Sequence, residues 1–372
     1  MKYLVVGAGL SGCTLARSFA DAGHTVHIIE KRDHIAGNCY DERDKNGILV
    51  NKYGAHLFHT NSHRVEEFVK RFSEWFPYEH KVIGRIGSTY FPIPVNMNTV
   101  NTLCGTELCD ETDMAGWLQQ NTIPCDTPTN SEQVALARVG PVLYEKIFKE
   151  YTYKQWAKYP EELDASVLER IPVRMNCDPN YFSDRFQALP KEGYTAFVAE
   201  MIRHPLITVS LETDYTHEMR ASYDLVCYTG PIDHYFTGHE PLEYRSIRFE
   251  TEYLDVDEFQ PNSVVNYPSP DEPFTRIVEY KHFYKTQESI KKESSGKTTI
   301  VREYTVADGD PYYPVPTAKN REVYEGYRRL AQQETGVYFV GRLANYKYYN
   351  MDAAILNALE IADSLIQALA LL

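Results

Sequence analysis

The sequence lacks the features of a membrane-spanning, secreted or metal-binding protein. Its apolar runs are too short to cross a bilayer, and the N-terminal MKYLVVGAGL runs into glycines rather than into a signal-peptide cleavage site. Its seven cysteines are scattered without a C-x-x-C pair, so they predict neither a disulfide framework nor a metal site. We therefore expect a cytoplasmic protein with reduced thiols and no bound metal.

The chain also lacks the positive charge of a nucleic-acid-binding protein. Its formal net charge is −14, which disfavours non-specific binding to nucleic acid. An anionic small ligand would instead need a local group of Arg, Lys and Tyr side chains, and 29 tyrosines are available. A chain of 372 residues can bury a large core, and we expect two or three subdomains.

The clearest motif follows the first β-rich run, residues 3–6. The sequence GAGLSG (7–12) connects that run to a helical pattern. In such a loop Gly7 permits a tight turn, Gly9 lets the backbone approach a pyrophosphate, and Gly12 lets the helix lie close to the strand. The N–H groups at the helix start would then face the phosphates, so this unit predicts a dinucleotide site.

An acidic residue supports this prediction and helps to choose the dinucleotide. Glu30 ends a second apolar run, 25–29, at a distance from the glycines that suits a hydrogen bond to the adenosine ribose, and it disfavours the 2′-phosphate of NADP. Small residues within KRDHIAGNCY (31–40) allow close approach to an extended ligand. A second strand–loop–helix unit, with a strand at 337–340 and a helix from Met351, favours FAD over NAD.

The chain between these two ends contains further strand-like patterns. A hairpin is predicted at 84–95, with its turn at Gly87-Ser88. We expect a loop at 229–236 and a solvated turn at 287–297. The remaining strand-like runs lie at 206–211, 223–228, 244–253, 263–267, 275–280 and 298–304.

A largely helical stretch, residues 96–170, separates two groups of strands. Its clearest helix, 131–151, has Ser131 as candidate cap and a break at Gly140-Pro141. These patterns predict an α/β protein with a discontinuous Rossmann-like FAD-binding domain, a helical insertion domain and an antiparallel β-sheet domain. The predicted segments are 1–75, 204–240 and 319–372 for the FAD-binding domain, 76–95, 181–203 and 241–318 for the sheet domain, and 96–180 for the helical domain.

Short sequences along the whole chain resemble those of the bacterial UDP-galactopyranose mutases. They are GAGLSG (7–12), EKRDHIAGN (30–38), KYGAHLFHT (52–60), PVNMNT (94–99), YTYKQW (151–156), RIPVR (170–174), NYFSDRFQALP (180–190), YTGPID (228–233), LEYRSIRFET (242–251), TRIVEYKHF (275–283), DPYYPV (310–315) and GRLANYKYYNM (341–351). Several of these are rare strings rather than generic patterns, so the sequence is identified as a member of this family.

The resemblance implies two groups of site residues. Those that would hold the flavin are Gly7, Gly9, Gly12, Glu30, Arg32, Asn38, His59, Arg342 and Met351. Those that would bind the nucleotide sugar are Tyr151, Trp156, Arg170, Tyr181, Arg245, Arg276, Tyr313 and Tyr348, with Trp156 on a mobile loop. Catalytic roles would fall on Arg170, Arg276 and His59.

The resemblance also implies the activity. The expected enzyme interconverts UDP-galactopyranose and UDP-galactofuranose through a covalent adduct between flavin N5 and the sugar, with no net redox change. It requires reduced FAD, with NAD(P)H or another donor as reductant, and bacterial members are commonly homodimers. The furanose product serves cell-surface polysaccharide synthesis.

Some alternatives remain open on the sequence. The same ring contraction could act on UDP-N-acetylgalactosamine or a dTDP-6-deoxyhexose, although family members that accept the N-acetyl group carry Arg where this chain has His59. An amine-oxidase-type flavin oxidoreductase shares the fold. Asn350 stands where some members have Asp, and an amide cannot act as a base.

Overall fold

The computed structural model describes residues 1–169, 171–284 and 294–370. The strands are β1 (Lys2–Val6), β2 (Thr25–Ile29), β3 (Asp41–Arg43), β4 (Leu49–Asn51), β5 (Phe58–Thr60), β6 (Trp75–Pro77), β7 (Val82–Ile86), β8 (Thr89–Ile93), β9 (Phe186–Pro190), β10 (Ile207–Ser210), β11 (Leu225–Tyr228), β12 (Tyr244–Leu254), β13 (Val264–Asn266), β14 (Arg276–Glu279), β15 (Thr298–Val306), β16 (Tyr313–Pro314) and β17 (Val337–Phe339). The helices are α1 (Leu10–Asp21), α2 (His63–Lys70), α3 (Met97–Cys104), α4 (Glu111–Asn121), α5 (Ser131–Leu143), α6 (Glu150–Trp156), α7 (Ser166–Glu169), α8 (Tyr194–Ile202), α9 (Ile232–Tyr235), α10 (Ala318–Ala331) and α11 (Met351–Ala370).

A five-stranded parallel sheet forms the nucleotide-binding part, in the order β10-β2-β1-β11-β17. Leu4 and Val5 of its central strand are both fully buried, because packed elements cover both faces of the sheet. Helices α1 and α11 pack against each other on one of these faces. The predicted strand–loop–helix units at both ends of the chain are confirmed, and their strands join a single sheet.

A seven-stranded sheet has the order β16-β12-β15-β14-β13-β7-β8. Adjacent strands of this sheet are antiparallel, except for β13 and β7, which are parallel. The hairpin of β7 and β8 is confirmed, with its turn at Gly87-Ser88. Of the segment 287–297, residues 287–293 lie outside the described residues.

The stretch between β8 and β9 holds α3 to α7, as its helical pattern predicts. The cap of α5 is Asn130 rather than Ser131: the Asn130 side chain accepts the Gln133 N–H at 3.0 Å, whereas the Ser131 hydroxyl donates to the Asp164 carbonyl at 2.5 Å. The break at Gly140 is confirmed, with φ 76° and ψ 171° inside the helix. A π-helical turn, Tyr144–Lys149, leads directly into α6.

The segment predicted as a loop at 229–236 contains a short helix, α9. None of the helices in the described ranges combines the length and the apolarity that crossing a membrane requires.

Candidate active site

A cavity of about 530 Å³ opens at the carboxyl ends of β1, β2 and β11. This is the edge of a parallel sheet at which α/β proteins bind nucleotides. Of the residues predicted to hold a flavin, those on its wall are Gly7, Gly9, Glu30, Arg32, Asn38, Arg342 and Met351. The two strand–loop–helix units therefore meet at one site.

The glycine loop shapes the first part of this wall. Gly7 has a φ of 104°, and a Cβ on Gly12 would lie 2.0 Å from the Gly7 carbonyl oxygen, so Gly12 serves the close packing of helix and strand. No side chain in the described part of the protein caps the start of α1. Its first N–H groups are therefore available to an anionic group in the cavity.

Glu30 is oriented by backbone donors. Its Oε2 accepts the Ala8 N–H at 2.8 Å and its Oε1 accepts the Arg32 N–H at 3.0 Å. Each carboxylate oxygen keeps a lone pair for a second donor, as ribose hydroxyls require. The side chain thus fits the ribose contact that the sequence predicts.

Arg32 lies in a network that the sequence did not indicate. Its guanidinium donates to Asn38 Oδ1 at 3.0 Å and to Asp310 Oδ2 at 2.9 Å, and it lies 4.3 Å from the centre of the Tyr53 ring. Burial acts to raise the pKa of Asp310, but Lys31 and Arg32 outweigh it and lower that pKa. Asp310 comes from the segment that leads to β16, so the seven-stranded sheet contributes to the cavity wall.

The C-terminal unit closes the opposite part of the wall. The Arg342 guanidinium donates to the Tyr349 carbonyl oxygen, at 2.5 Å from Nη2, and lies 5.0 Å from the centre of the Tyr348 ring. Asn350 and Met351 line the cavity where α11 begins. A helix start of this kind offers N–H groups and a positive dipole end to a flavin ring.

His56 is a wall residue that was not among those predicted from the sequence. Burial, aided by the charges of Arg342 and Arg276 and opposed by the hydrogen bond to Gly54, lowers its pKa to about 4. The ring is therefore neutral, and its Nδ1, 2.7 Å from the Gly54 carbonyl oxygen, must carry the proton because a carbonyl only accepts. Nε2 is then left as a hydrogen-bond acceptor.

Arg276 is the centre of the residues predicted to bind substrate. It lies opposite Glu303 in the pair of β14 and β15, and its Nε donates to the Glu303 carboxylate at 2.6 Å. Burial acts to lower the pKa of the Arg276 guanidinium, but Glu303, Tyr313 and Tyr151 raise it well above its usual value. Glu303 is 2% exposed. The guanidinium therefore stays charged, and the buried Glu303 carboxylate holds it in place.

Aromatic side chains surround this cation. Tyr313 and Tyr348 stack with ring centres 5.8 Å apart, and Trp156 lies edge-on to Tyr313 at 6.2 Å. Burial raises the pKa of Tyr313 to about 12, with Tyr348 adding to the rise and Arg276 opposing it. Burial also raises the pKa of Tyr151. These hydroxyls stay protonated at neutral pH and can donate to an anion.

The other residues predicted to bind substrate are Arg245, Tyr181 and Arg170. Arg245 pairs with Tyr313 across β12 and β16, and burial lowers its pKa. Tyr181 packs against His80, with ring centres 5.7 Å apart. Arg170 lies outside the described residues.

His59 and Gly12 are not among the residues that line the cavity. His59 belongs to β5, stacks on Phe182 with ring centres 3.7 Å apart, and has its Nδ1 3.0 Å from Asp184 Oδ2. No group of three or more His, Cys, Asp or Glu side chains suited to a metal ion occurs in the described ranges.

Comparison with known proteins identifies the family. Residues 146–348 match the family described as UDP-galactopyranose mutase, and residues 5–72 match an NAD(P)-binding Rossmann-like domain. A Klebsiella pneumoniae protein named "Probable UDP-galactopyranose mutase" is 37% identical over 99% of this chain and 96% of its own length. This chain belongs to the UDP-galactopyranose mutase family. The resemblance seen in the sequence is confirmed.

A second relative and a solved structure extend this result. The dTDP-fucopyranose mutase of Escherichia coli is 36% identical, over 97% of each chain. A crystal structure of reduced UDP-galactopyranose mutase superposes with a TM-score of 0.78 and covers 99% of this chain and 96% of its own, at 15% identity. The predicted fold class is confirmed. The family is flavin-dependent, and the open helix start, Glu30 and the cavity described above fit FAD.

Proposed function

We propose that this protein interconverts UDP-galactopyranose and UDP-galactofuranose, using reduced FAD. The observation that carries the proposal is the position of Arg276 and the aromatic side chains around it, Tyr313, Tyr348 and Trp156, beside the proposed FAD cavity. Arg342 lines the cavity and lies 5.9 Å from the centre of the Tyr313 ring and 5.0 Å from that of the Tyr348 ring, so it borders both sites. A nucleotide sugar bound at Arg276 would therefore reach the flavin.

Arg276 would bind the diphosphate. Its Nε is used by Glu303, and the two terminal nitrogens have no other hydrogen bond within the described residues. These nitrogens match the bidentate geometry that a phosphate prefers. The hydroxyls of Tyr313, Tyr348 and Tyr151 would add donors around the same group, and Arg245 would contribute a further charge.

Reduced FAD would supply the nucleophilic N5 that displaces UDP from the anomeric carbon, with no net redox change. The residues of this chain would orient the sugar and retain the UDP until it returns. Trp156 is 5% exposed and lies edge-on to Tyr313, so its apolar ring would help to exclude water from the reacting sugar. Arg170, Arg276 and His59 remain the residues proposed for catalysis.

The sugar proposed is galactose, and His59 supports this choice. Its ring is held between Phe182 and Asp184, so the position offers a compact aromatic surface rather than a long cationic side chain. The E. coli relative named dTDP-fucopyranose mutase favours a second candidate, the same ring contraction on a dTDP-6-deoxyhexose.

The test is a product analysis with three substrates. The dithionite-reduced protein is incubated with UDP-galactopyranose, UDP-N-acetylgalactosamine and dTDP-fucopyranose, and the nucleotide sugars are separated by chromatography. We expect a furanose product from UDP-galactopyranose only under reducing conditions. If only one of the other nucleotide sugars were converted, that sugar and not UDP-galactopyranose would be the substrate. Stoichiometric consumption of oxygen with an oxidised product, or of NAD(P)H with a reduced product, would refute the mutase assignment.

Two further expectations belong to this proposal. NAD(P)H serves as a reductant, which anaerobic flavin bleaching would test. The protein forms a homodimer, which light scattering would test.

A further inference from the structure

Lys154 lies on α6 between two residues of the proposed substrate site, Tyr151 and Trp156. Lys154 is half-buried, and its ammonium group binds protein carbonyls rather than extending freely into solvent. It donates instead to four backbone carbonyls of one loop, 267–274. The acceptors are Tyr267, Ser269 at 2.7 Å, Glu272 at 3.0 Å and Phe274 at 3.1 Å.

The composition of this loop explains why its carbonyls need an external donor. The loop reads YPSPDEPF, so three of the four acceptor residues directly precede a proline. Proline has no N–H group and disfavours the helical conformation in the residue before it. The loop therefore has few N–H groups of its own to satisfy these carbonyls. An ammonium group has three donors, and the four carbonyls converge on it.

The loop leads directly into the substrate site. Phe274 is followed by Thr275, whose N–H donates to the Glu303 carbonyl oxygen at 2.9 Å, and then by Arg276 at the start of β14. The Lys154 ammonium thus connects the helix that carries Tyr151 and Trp156 to the strand that carries the diphosphate-binding arginine.

We propose that Lys154 is a positioning residue that fixes Tyr151 and Trp156 relative to Arg276 by clamping α6 to the loop 267–274. The inference rests on the proposed function, because it assigns these three residues to one substrate. Lys154 itself touches neither substrate nor flavin. Its loss weakens substrate binding and leaves the flavin domain intact.

The charge of the clamp is sensitive to pH. Burial lowers the pKa of Lys154 to about 8, although Glu272, Glu150 and Asp271 act to raise it. Two further charged groups near the loop are Arg85, which lies 5.9 Å from the centre of the Tyr267 ring, and Arg302, which lies 6.0 Å from that of the Phe274 ring. Both are arginines, a residue type that keeps its charge in proteins. Lys154 is therefore the group of this cluster that loses charge just above neutral pH.

The experiment compares Lys154→Met and Lys154→Arg with the wild type in steady-state kinetics on UDP-galactopyranose under reducing conditions. Lys149→Met is the matched control, because Lys149 precedes α6 and pairs with Glu145, at 2.9 Å, rather than with the loop 267–274. We expect Lys154→Met to raise KM about tenfold, as for the loss of one charged hydrogen bond, with kcat and flavin content near those of the wild type.

The pH profile separates this role from a purely structural one. The wild-type KM should rise as pH increases through about 8, whereas Lys154→Met should show a high KM at every pH. Lys154→Arg should lack the alkaline rise, because a guanidinium stays charged. An alkaline rise that persists in Lys154→Arg, or an unchanged KM in Lys154→Met, would overturn the inference.

Two further outcomes would also be decisive. If Lys154→Met lost its flavin and unfolded at a lower temperature, with equal falls in kcat and kcat/KM, the role would be structural and the inference wrong. If the wild type converted none of the nucleotide sugars, the proposed function would fail. Titration with UDP, followed by tryptophan fluorescence, would then test the clamp alone, and equal affinity of wild type and Lys154→Met would overturn it.

Discussion

Replacement of Arg276 by alanine tests the proposed substrate site most directly. The change removes a guanidinium whose charge-assisted hydrogen bonds to the diphosphate would contribute about 3 kcal/mol in total. It also leaves the buried Glu303 carboxylate facing an incoming anion. At roughly 8 Å and an effective dielectric constant near 20, this repulsion costs about 2 kcal/mol. The sum, about 5 kcal/mol, weakens UDP binding by about 10³–10⁴-fold.

A double variant separates the two contributions. In Arg276→Ala/Glu303→Gln the uncompensated carboxylate is gone, so UDP should bind about 30-fold more tightly than to Arg276→Ala, which corresponds to the 2 kcal/mol of repulsion. Isothermal titration of the oxidised holoproteins with UDP measures both effects. Arg248→Ala is the control, because Arg248 lies on β12 and pairs with Glu250 at the surface.

Two results would refute this reasoning. If the double variant bound UDP no better than Arg276→Ala, Glu303 would not face the diphosphate. If Arg276→Ala lost its flavin absorbance, the arginine would belong to the cofactor site rather than to the substrate site.

Three further predictions concern the flavin cavity and its surroundings. Gly37→Ala should lose most of its flavin, measured by absorbance, because a Cβ there would lie 2.9 Å from the Gly9 Cα. The control is Gly23→Ala, which also has a positive φ but has open space around it and should keep its flavin absorbance. Glu30→Gln should weaken FAD binding about tenfold, measured by flavin fluorescence on dilution, because a charged acceptor is replaced by a neutral one. Burial, together with Arg276 and His59, lowers the pKa of His80 to about 3. The folded state therefore favours the neutral ring, and the stability that this contributes is complete above about pH 6.5 and is lost as pH falls toward 3. Between pH 7 and 5 the wild type should therefore lose about 2 kcal/mol more than His80→Phe in urea denaturation, and equal losses would contradict this.

Local patterns predicted the elements of this fold well, because the signals that define them are short in range. The glycine loop, the β7–β8 hairpin and the break at Gly140 each depend on a few neighbouring residues. The cap of α5 was missed by one residue, since Asn130 and Ser131 are both good caps and only the contact with Asp164 decides between them.

The polar partners of the site depend on contacts that the sequence does not contain. Glu303 looks like any acid in a strand, and its burial becomes evident only when the pairing of β14 and β15 places it opposite Arg276. The two histidines of KYGAHLFHT, His56 and His59, are three residues apart, and only His59 was predicted to belong to the site. The structure places His56 on the cavity wall and His59 on Phe182, because β5 pairs with β9.

The strand order of the nucleotide-binding sheet has a consequence for how the protein is made. β1 pairs with β11, more than 200 residues later, and β11 pairs with β17, more than 100 residues after that. Contacts of such high sequence separation form slowly and late. A ribosome-bound chain that ends before residue 337 has its glycine loop but lacks β17, Arg342 and α11. We therefore expect flavin capture to wait until β17 has been made and has joined the sheet.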